Sequence, residues 1–295
     1  VPELGSPLVR RRHLAAELRR LREEHGLTGE EVAESLGWSS SKLSRIETAR
    51  IGVKPADLAK LLDHYEVSGD FRQELLGLAA KTGSRGWWDA YTDAWPEHFA
   101  SYLVLESQAE SLLAWSPELV PGLLQTPEYA RAAIDAHMAA TAAIPPSEIE
   151  RRVQTRVRRQ QILMGANPIS LTCVLDESVL LRRVMDAQVM RGQLARLVEM
   201  AGLPNVILRV LPLDGEHPIG TGAFMLFGFA PIPGIGPTSD IVYIEQLSGS
   251  ALYVDNDSET HQYQLGFGHL IAESLDPVAS VARITEVMTA TWSDR

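Results

Sequence analysis

The sequence holds a single cysteine, Cys173, in 295 residues, which excludes an intrachain disulfide and fits a reducing compartment, the cytoplasm. It has no run of about 20 apolar residues, so no membrane-spanning helix and no membrane partner is expected, and nothing in it resembles a secretory leader. Its eight histidines form no i, i+4 pair with a nearby carboxylate, so neither a metal nor any other cofactor is expected. The Gly-rich stretches lack both the P-loop and the dinucleotide spacing, and no G-x-S-x-G elbow occurs. Catalysis therefore finds no support, and the chain is expected not to be an enzyme. Cys173, inside a β-rich run, reads as a small core residue. Positive charge is in the minority as well: 27 Lys and Arg stand against 38 Asp and Glu, a net charge of −11. That balance at first argues against a nucleic-acid partner.

The distribution of charge reverses the argument. Residues 1–60 carry 11 Lys and Arg against 9 Asp and Glu, and six arginines, Arg10, Arg11, Arg12, Arg19, Arg20 and Arg22, open the chain. In the same segment Leu14, Leu18 and Leu21 recur at helical spacing, which predicts an amphipathic helix over 9–25 ended by Gly26 in a left-handed cap. Thr28 with Glu31 forms a capping box for a short second helix that stops at Gly37. Ser39 caps a third helix with Leu43 and Ile46 facing inward, Pro55 opens a fourth, and a fifth runs from about Asp70 to Thr82. Residues 1–82 thus read as a compact all-α domain.

"TGSRGWWDAYTDAWPEHF" has no regular period and reads as a linker over 83–99 leading to the edge of a second domain. Residues 100–165 look helical, including "SYLVLESQAESLLAW", with a Pro-Gly break and a second capping box at Ser147 and Glu150. From Ile169 four β-rich runs follow, "ISLTCVLD", "NVILRVLPL", "GAFMLFGF" and "DIVYIEQL", with a helix near 186–201 between the first two and two helices over 257–292 at the end. Residues 100–295 are therefore expected to be an α+β domain with a mixed sheet of four or five strands.

Two short helices joined by a Gly turn inside such a bundle make a helix-turn-helix, whose second helix enters the DNA major groove by its N-terminal end. Short polar residues suit that end. Ser39, Ser40 and Ser41 let the helix approach closely, Lys42 and Arg45 reach acceptors on guanine, and the free N–H groups of the first turn attract phosphate.

"GLTGEEVAESLGWSSSKLSRIETAR" resembles the DNA-binding domain of the Cro and phage-repressor class of bacterial regulators. The resemblance puts Ser40, Ser41 and Arg45 at base-facing places, Lys42 at the edge of the groove, and Thr28, Ser39 and Arg50 where members of the class hold phosphates. It also implies a structural pair between Arg22 and Glu47. One departure stands out: the class often has Gln at the first residue of the second helix, anchoring a phosphate, and here that residue is Gly29. Further on, "GLLQTPEYARA", "IERRVQTRVRRQ", "LDESVLLRRV" and "YVDNDSE", in this order, resemble the large actinobacterial regulators of the WhiJ type. That likeness implies a regulator that binds operator DNA and whose genes often lie beside a small partner protein.

Because one small head buries little DNA, a homodimer spanning two half-sites is expected. Residues 100–295 would dimerise and sense a small-molecule effector or bind a small partner protein. An antitoxin-like protein acting mainly on such a partner, or an enzyme tethered to DNA, are the other classes. Trp87, Trp88 and His217 are candidate ligand contacts, against plainer readings as linker packing and a surface-loop histidine. The arginine run from Arg151 to Arg159 reads as the solvated face of an interface helix, because Ile149, Val153 and Val157 recur every four residues; a second DNA contact is the alternative.

Overall fold

The computed structural model describes residues 7–48, 51–80, 97–140, 145–182, 186–217, 220, 222–231, 240–246 and 250–292. Arg50, Trp87, Trp88 and nearly all of the expected linker over 83–99 lie outside them. The described residues up to Ala80 form one compact unit, and nearly all the rest form a second.

The first unit has five helices: α1 (Pro7–Glu24), α2 (Gly29–Ser35), α3 (Ser40–Glu47), α4 (Pro55–His64) and α5 (Gly69–Ala80). Each boundary has a local cause. Gly26 and Gly37 take φ of +66°, a left-handed conformation that glycine adopts without strain, and so end α1 and turn α2 into α3. Thr28 and Glu31 form a complete capping box at α2, and Ser39 caps α3 by accepting the Lys42 N–H. The apolar stripes of the helices, among them Leu18, Val32, Leu43, Ile46, Leu58 and Leu61, meet in one buried core. Truncating such a residue to alanine costs about 2–5 kcal/mol.

The second unit is α+β. Helix α6 (Glu97–Glu106) precedes strand β1 (Ser111–Ser116); α7 (Pro127–Ala140) and α8 (Pro146–Arg159) lead to β2 (Ser170–Asp176). Then come α9 (Ser178–Leu181), α10 (Ala187–Met200), β3 (Val206–Leu211), β4 (Phe224–Gly228), β5 (Ile241–Glu245), β6 (Ala251–Val254), α11 (Asp257–Glu273) and α12 (Pro277–Ala290). One six-stranded mixed sheet runs in the order β3-β2-β1-β4-β5-β6. The first three strands are parallel, with Leu112 opposite Leu171 and Leu171 opposite Val206; β1–β4, β4–β5 and β5–β6 are antiparallel.

Four expectations are corrected. "SLLAWS" is a strand, β1, where a helix was expected, and the sheet has six strands, not four or five. Helix α11 packs on one face and α6 on the other, so the middle of β1, residues 112–115, is apolar throughout and shows no alternation to mark it. The capping box at Ser147 and Glu150 is absent, because α8 begins at Pro146 and Ser147 already lies inside its first turn. Glu150 pairs with Arg131 on α7 instead. The arginine run is not a uniformly solvated face: Arg159 is 4% exposed, while Val157, expected inside, is 39% exposed.

The period of two along the strands divides the sheet's side chains between its faces. Trp115, Phe224, Leu226 and Val242 pack with Phe267 and Leu270 of α11. Met225 and Tyr243, which are register partners, fall on the opposite face and meet Tyr102 of α6.

Candidate nucleic-acid interface

Helices α2 and α3 hold the helix-turn-helix relationship through Gly37 and through the Trp38 N–H, which donates to the Ala33 carbonyl at 2.8 Å. Behind them Arg22 of α1 donates to both carboxylate oxygens of Glu47, at 2.9 and 3.1 Å, and to the Leu27 carbonyl at 2.8 Å. The pair is largely buried, and the hydrogen bond to Glu47 outweighs desolvation to raise the Arg22 pKa. It fixes the C-terminal end of α3 to α1 and to the turn before α2.

The N-terminal end of α3 is exposed. Ser39 Oγ accepts the Lys42 N–H at 3.2 Å and lies 3.2 Å from Ser41 Oγ, so Ser39 and Ser41 share hydrogen bonds while Ser40 has no side-chain partner among the described residues. Arg45, also exposed, likewise has none among them. Lys42 differs: its Nζ lies 3.0 Å from Asp57 Oδ2 on α4 and 3.7 Å from the centre of the Trp38 ring. Its charge is partly answered within the domain. Thr28 is occupied by its own cap, its N–H and hydroxyl both donating to Glu31 at 2.7 and 2.8 Å.

Thr28, Gly29, Ser40 and Ser44 border an open groove of about 360 Å³ between α2 and α3. A Cβ placed on Gly29 would meet only Leu43, at 3.9 Å, so the position has room for a side chain. The basic residues of α1 are more compensated than the sequence suggests, since Arg19 pairs with Glu23 and Arg20 with Glu17 and Glu24. Exposed pairs of this kind contribute little to stability, but they lower the field the helix presents.

In the second unit, His217 Nε2 lies 2.6 Å from Asp176 Oδ2 at the end of β2, and its ring stands edge-on to Trp115. Partial burial works to raise the Asp176 pKa, but hydrogen bonds from Ser178 and His217 outweigh it and hold the carboxyl below its ordinary value. Across the sheet, Arg159 donates to Glu106 and to the Tyr102 hydroxyl in a buried triad.

Residues 13–75 match the family model of a helix-turn-helix domain, and residues 99–286 match that of a domain of unknown function, DUF5753, which spans more than half of the chain. The chain belongs to the DUF5753 family. No curated protein matches it. In this DUF5753 protein the first unit is thus a DNA-binding domain of the transcription-regulator type. Among the described residues no helix is long and apolar enough to cross a membrane.

Of the site residues expected from sequence, Ser39, Ser40, Ser41, Lys42 and Arg45 all lie on α3 or its cap, and Thr28 lies across the groove from Ser40. Arg50, Trp87 and Trp88 lie outside the described residues. His217 is an exposed loop histidine, in line with its plainer reading, and pairs with Asp176. Sequence reasoning missed the tie from Asp57 to Lys42, which joins separate helices and leaves no local spacing signal.

Proposed function

We propose that the chain is a sequence-specific DNA-binding regulator of transcription, similar to the actinobacterial WhiJ type, which acts in the cytoplasm and has no catalytic role. The reading rests on one observation: α3 presents slim serines at an exposed N-terminal end and, in its last turn, an exposed Arg45 whose side chain has no partner among the described residues. A guanidinium in that position suits the O6 and N7 acceptors of guanine in the major groove. Ser40 and Ser41 keep the first turn narrow enough to approach base edges, and Thr28, Ser39 and Arg50 take phosphates. In this reading the DUF5753 unit dimerises the chain across half-sites about 34 Å apart and carries an effector or partner-binding surface.

The test is DNA binding by the full chain on a selected operator and on random duplex. Arg45→Ala is expected to cost about 1–3 kcal/mol on operator and to relax preference at one base position, whereas Arg50→Ala weakens all sequences alike. Equal losses on both duplexes for both variants defeat the assignment. Light scattering at micromolar concentration checks the dimer: a monomer both free and on operator rejects it.

A further inference from the structure

Along α8, Arg152, Arg156 and Arg159 recur at i, i+4 and i+7 and so share one face of the helix. That face borders a cavity of about 550 Å³, partly open to solvent, lined by α6, α7, α8, the segment after β1 and the face of β4 and β5 that carries Met225 and Tyr243. The volume lies in the range of small-molecule sites. Phe99, Val120, Ile134 and Met225 contribute apolar wall, and the arginines contribute charge.

Two of the three arginines are neutralised within the fold. Arg159 is bound by Glu106 and Tyr102, and Arg152 donates to Glu148 at 2.6 Å. Arg156 is not: its hydrogen bond is to a neutral group, the Gln125 side-chain oxygen at 2.9 Å, and among the described residues it has no ion pair. Gln125 itself is fixed, since its amide donates to the Val120 carbonyl at 2.7 Å and its backbone carbonyl accepts from Gln160. The guanidinium is therefore held in place at the cavity wall with no carboxylate of the described residues paired to it, Glu245 at the cavity rim acting on it only through space. Desolvation, then the neighbouring Arg159, lowers its pKa to about 10, with Glu245 at the cavity rim acting in the other direction. A second group is unsatisfied: Tyr243, another lining residue and 4% exposed, has a buried hydroxyl with no hydrogen-bond partner among the described residues. Packing alone would favour apolar groups where a guanidinium with only a neutral partner and an unpaired hydroxyl stand, because removing either from water without full compensation is unfavourable. Both find a partner in an anionic ligand, and a guanidinium's planar donors match carboxylate and phosphate oxygens.

We propose that this cavity is a binding site for a small amphipathic anion, its carboxylate or phosphate on Arg156 and its apolar body against Phe99, Ile134 and Met225. The inference builds on the reading of the DUF5753 unit as effector-binding and supplies the site and the chemical class.

The test uses the full chain and a fluorescent anion, 8-anilinonaphthalene-1-sulfonate, beside N-phenyl-1-naphthylamine, which has the same apolar body without the charge. The anion is expected to bind saturably at one site per chain. Arg156→Met weakens it tenfold or more while the neutral probe changes less than twofold; Arg156→Lys, which keeps the charge, lies between, and Arg158→Met, on the exposed side of α8, leaves both unchanged. Octanoate and octyl phosphate displace the anion and octanol does not; displacement by octanoate alone assigns a carboxylate and by octyl phosphate alone a phosphate. Melting curves of each variant establish that it is folded. The proposal is overturned if Arg156→Met and Arg158→Met behave alike, if Arg156→Met weakens both probes equally, or if octanol competes as well as the anions. Operator affinity is measured separately with and without octanoate or octyl phosphate, whichever displaces the probe. Arg156-dependent binding that leaves operator affinity unchanged keeps the site and rejects the effector reading. Loss of the site with Arg45→Ala behaving as expected rejects the site and keeps the DNA reading.

Discussion

Lys42 on α3 is bound to Asp57 on α4, with Nζ and Oδ2 3.0 Å apart. Both side chains are partly exposed, at 33% and 19%, so the pair contributes only roughly 0–1 kcal/mol and the lysine can exchange partners at small cost. The contact matters more for binding, because a phosphate approaching Lys42 must compete with the carboxylate. Asp57→Asn is expected to raise affinity for operator and random DNA alike. It should also steepen the fall of log K with log salt by about 0.9, the increment for one additional neutralised phosphate. Binding isotherms across a salt series check this; an unchanged slope means Lys42 does not reach the backbone.

The Arg22–Glu47 pair acts on the orientation of α3 from within the domain. Glu47 is 8% exposed, and removing it strands a guanidinium that is 14% exposed. Glu47→Ala is expected to destabilise the first unit by about 3 kcal/mol, whereas the double variant Arg22→Met, Glu47→Leu recovers most of that loss because no charge is left alone. Hydrogen exchange of the α2 and α3 amides reads this unit without interference from the other. Equal destabilisation in the single and double variants contradicts it.

The helix-turn-helix was legible because its signals are local. Leu14, Leu18 and Leu21 set one helix, Thr28 with Glu31 and Ser39 set two starts, and Gly26 and Gly37 set two ends. The second unit hid more. Strand β1 is a four-residue apolar run between two serines whose length and composition suit a buried helix turn equally well, and β6 has only four residues. Along α8 the recurrence of Val153 and Val157 marked a buried face, yet Val153 is 3% exposed and Val157 is 39%. The buried side instead runs through Arg159, and only the partners Glu106 and Tyr102, more than 50 residues away in sequence, make that burial possible.

Asp176, hydrogen-bonded to Ser178 and His217, gives the second unit a dependence on pH with a definite sign. The folded carboxyl lies below its ordinary value, so its stabilisation is fully present above that value, near pH 4, and is lost as pH falls through the lowered folded pKa. Asp176→Asn is expected to lower stability at neutral pH and to flatten its decline below pH 4, while the two proteins converge at the acid end. Protection of the β2 amides against hydrogen exchange, followed from pH 5 to pH 3, checks the sign. A constant gap between the two proteins across that range rejects the linkage.

Gly29 is the place where the resemblance to the phage-repressor class and the structure together suggest a gain. The class often has Gln there, reaching a phosphate, and here a Cβ meets only Leu43 at ordinary contact distance beside an open groove. Gly29→Gln is therefore expected to fit without displacing α3 and to stabilise the unit by up to about 0.5–1 kcal/mol, since the unfolded chain loses glycine's freedom. On DNA it should tighten binding severalfold on all sequences. Because an amide donor carries no charge, that gain should leave the salt slope unchanged, in contrast to Asp57→Asn. Parallel salt series on the two variants separate a neutral phosphate contact from a released cation, and a steeper slope for Gly29→Gln shows that the side chain acts by moving Lys42 or Arg45 rather than by touching the backbone itself.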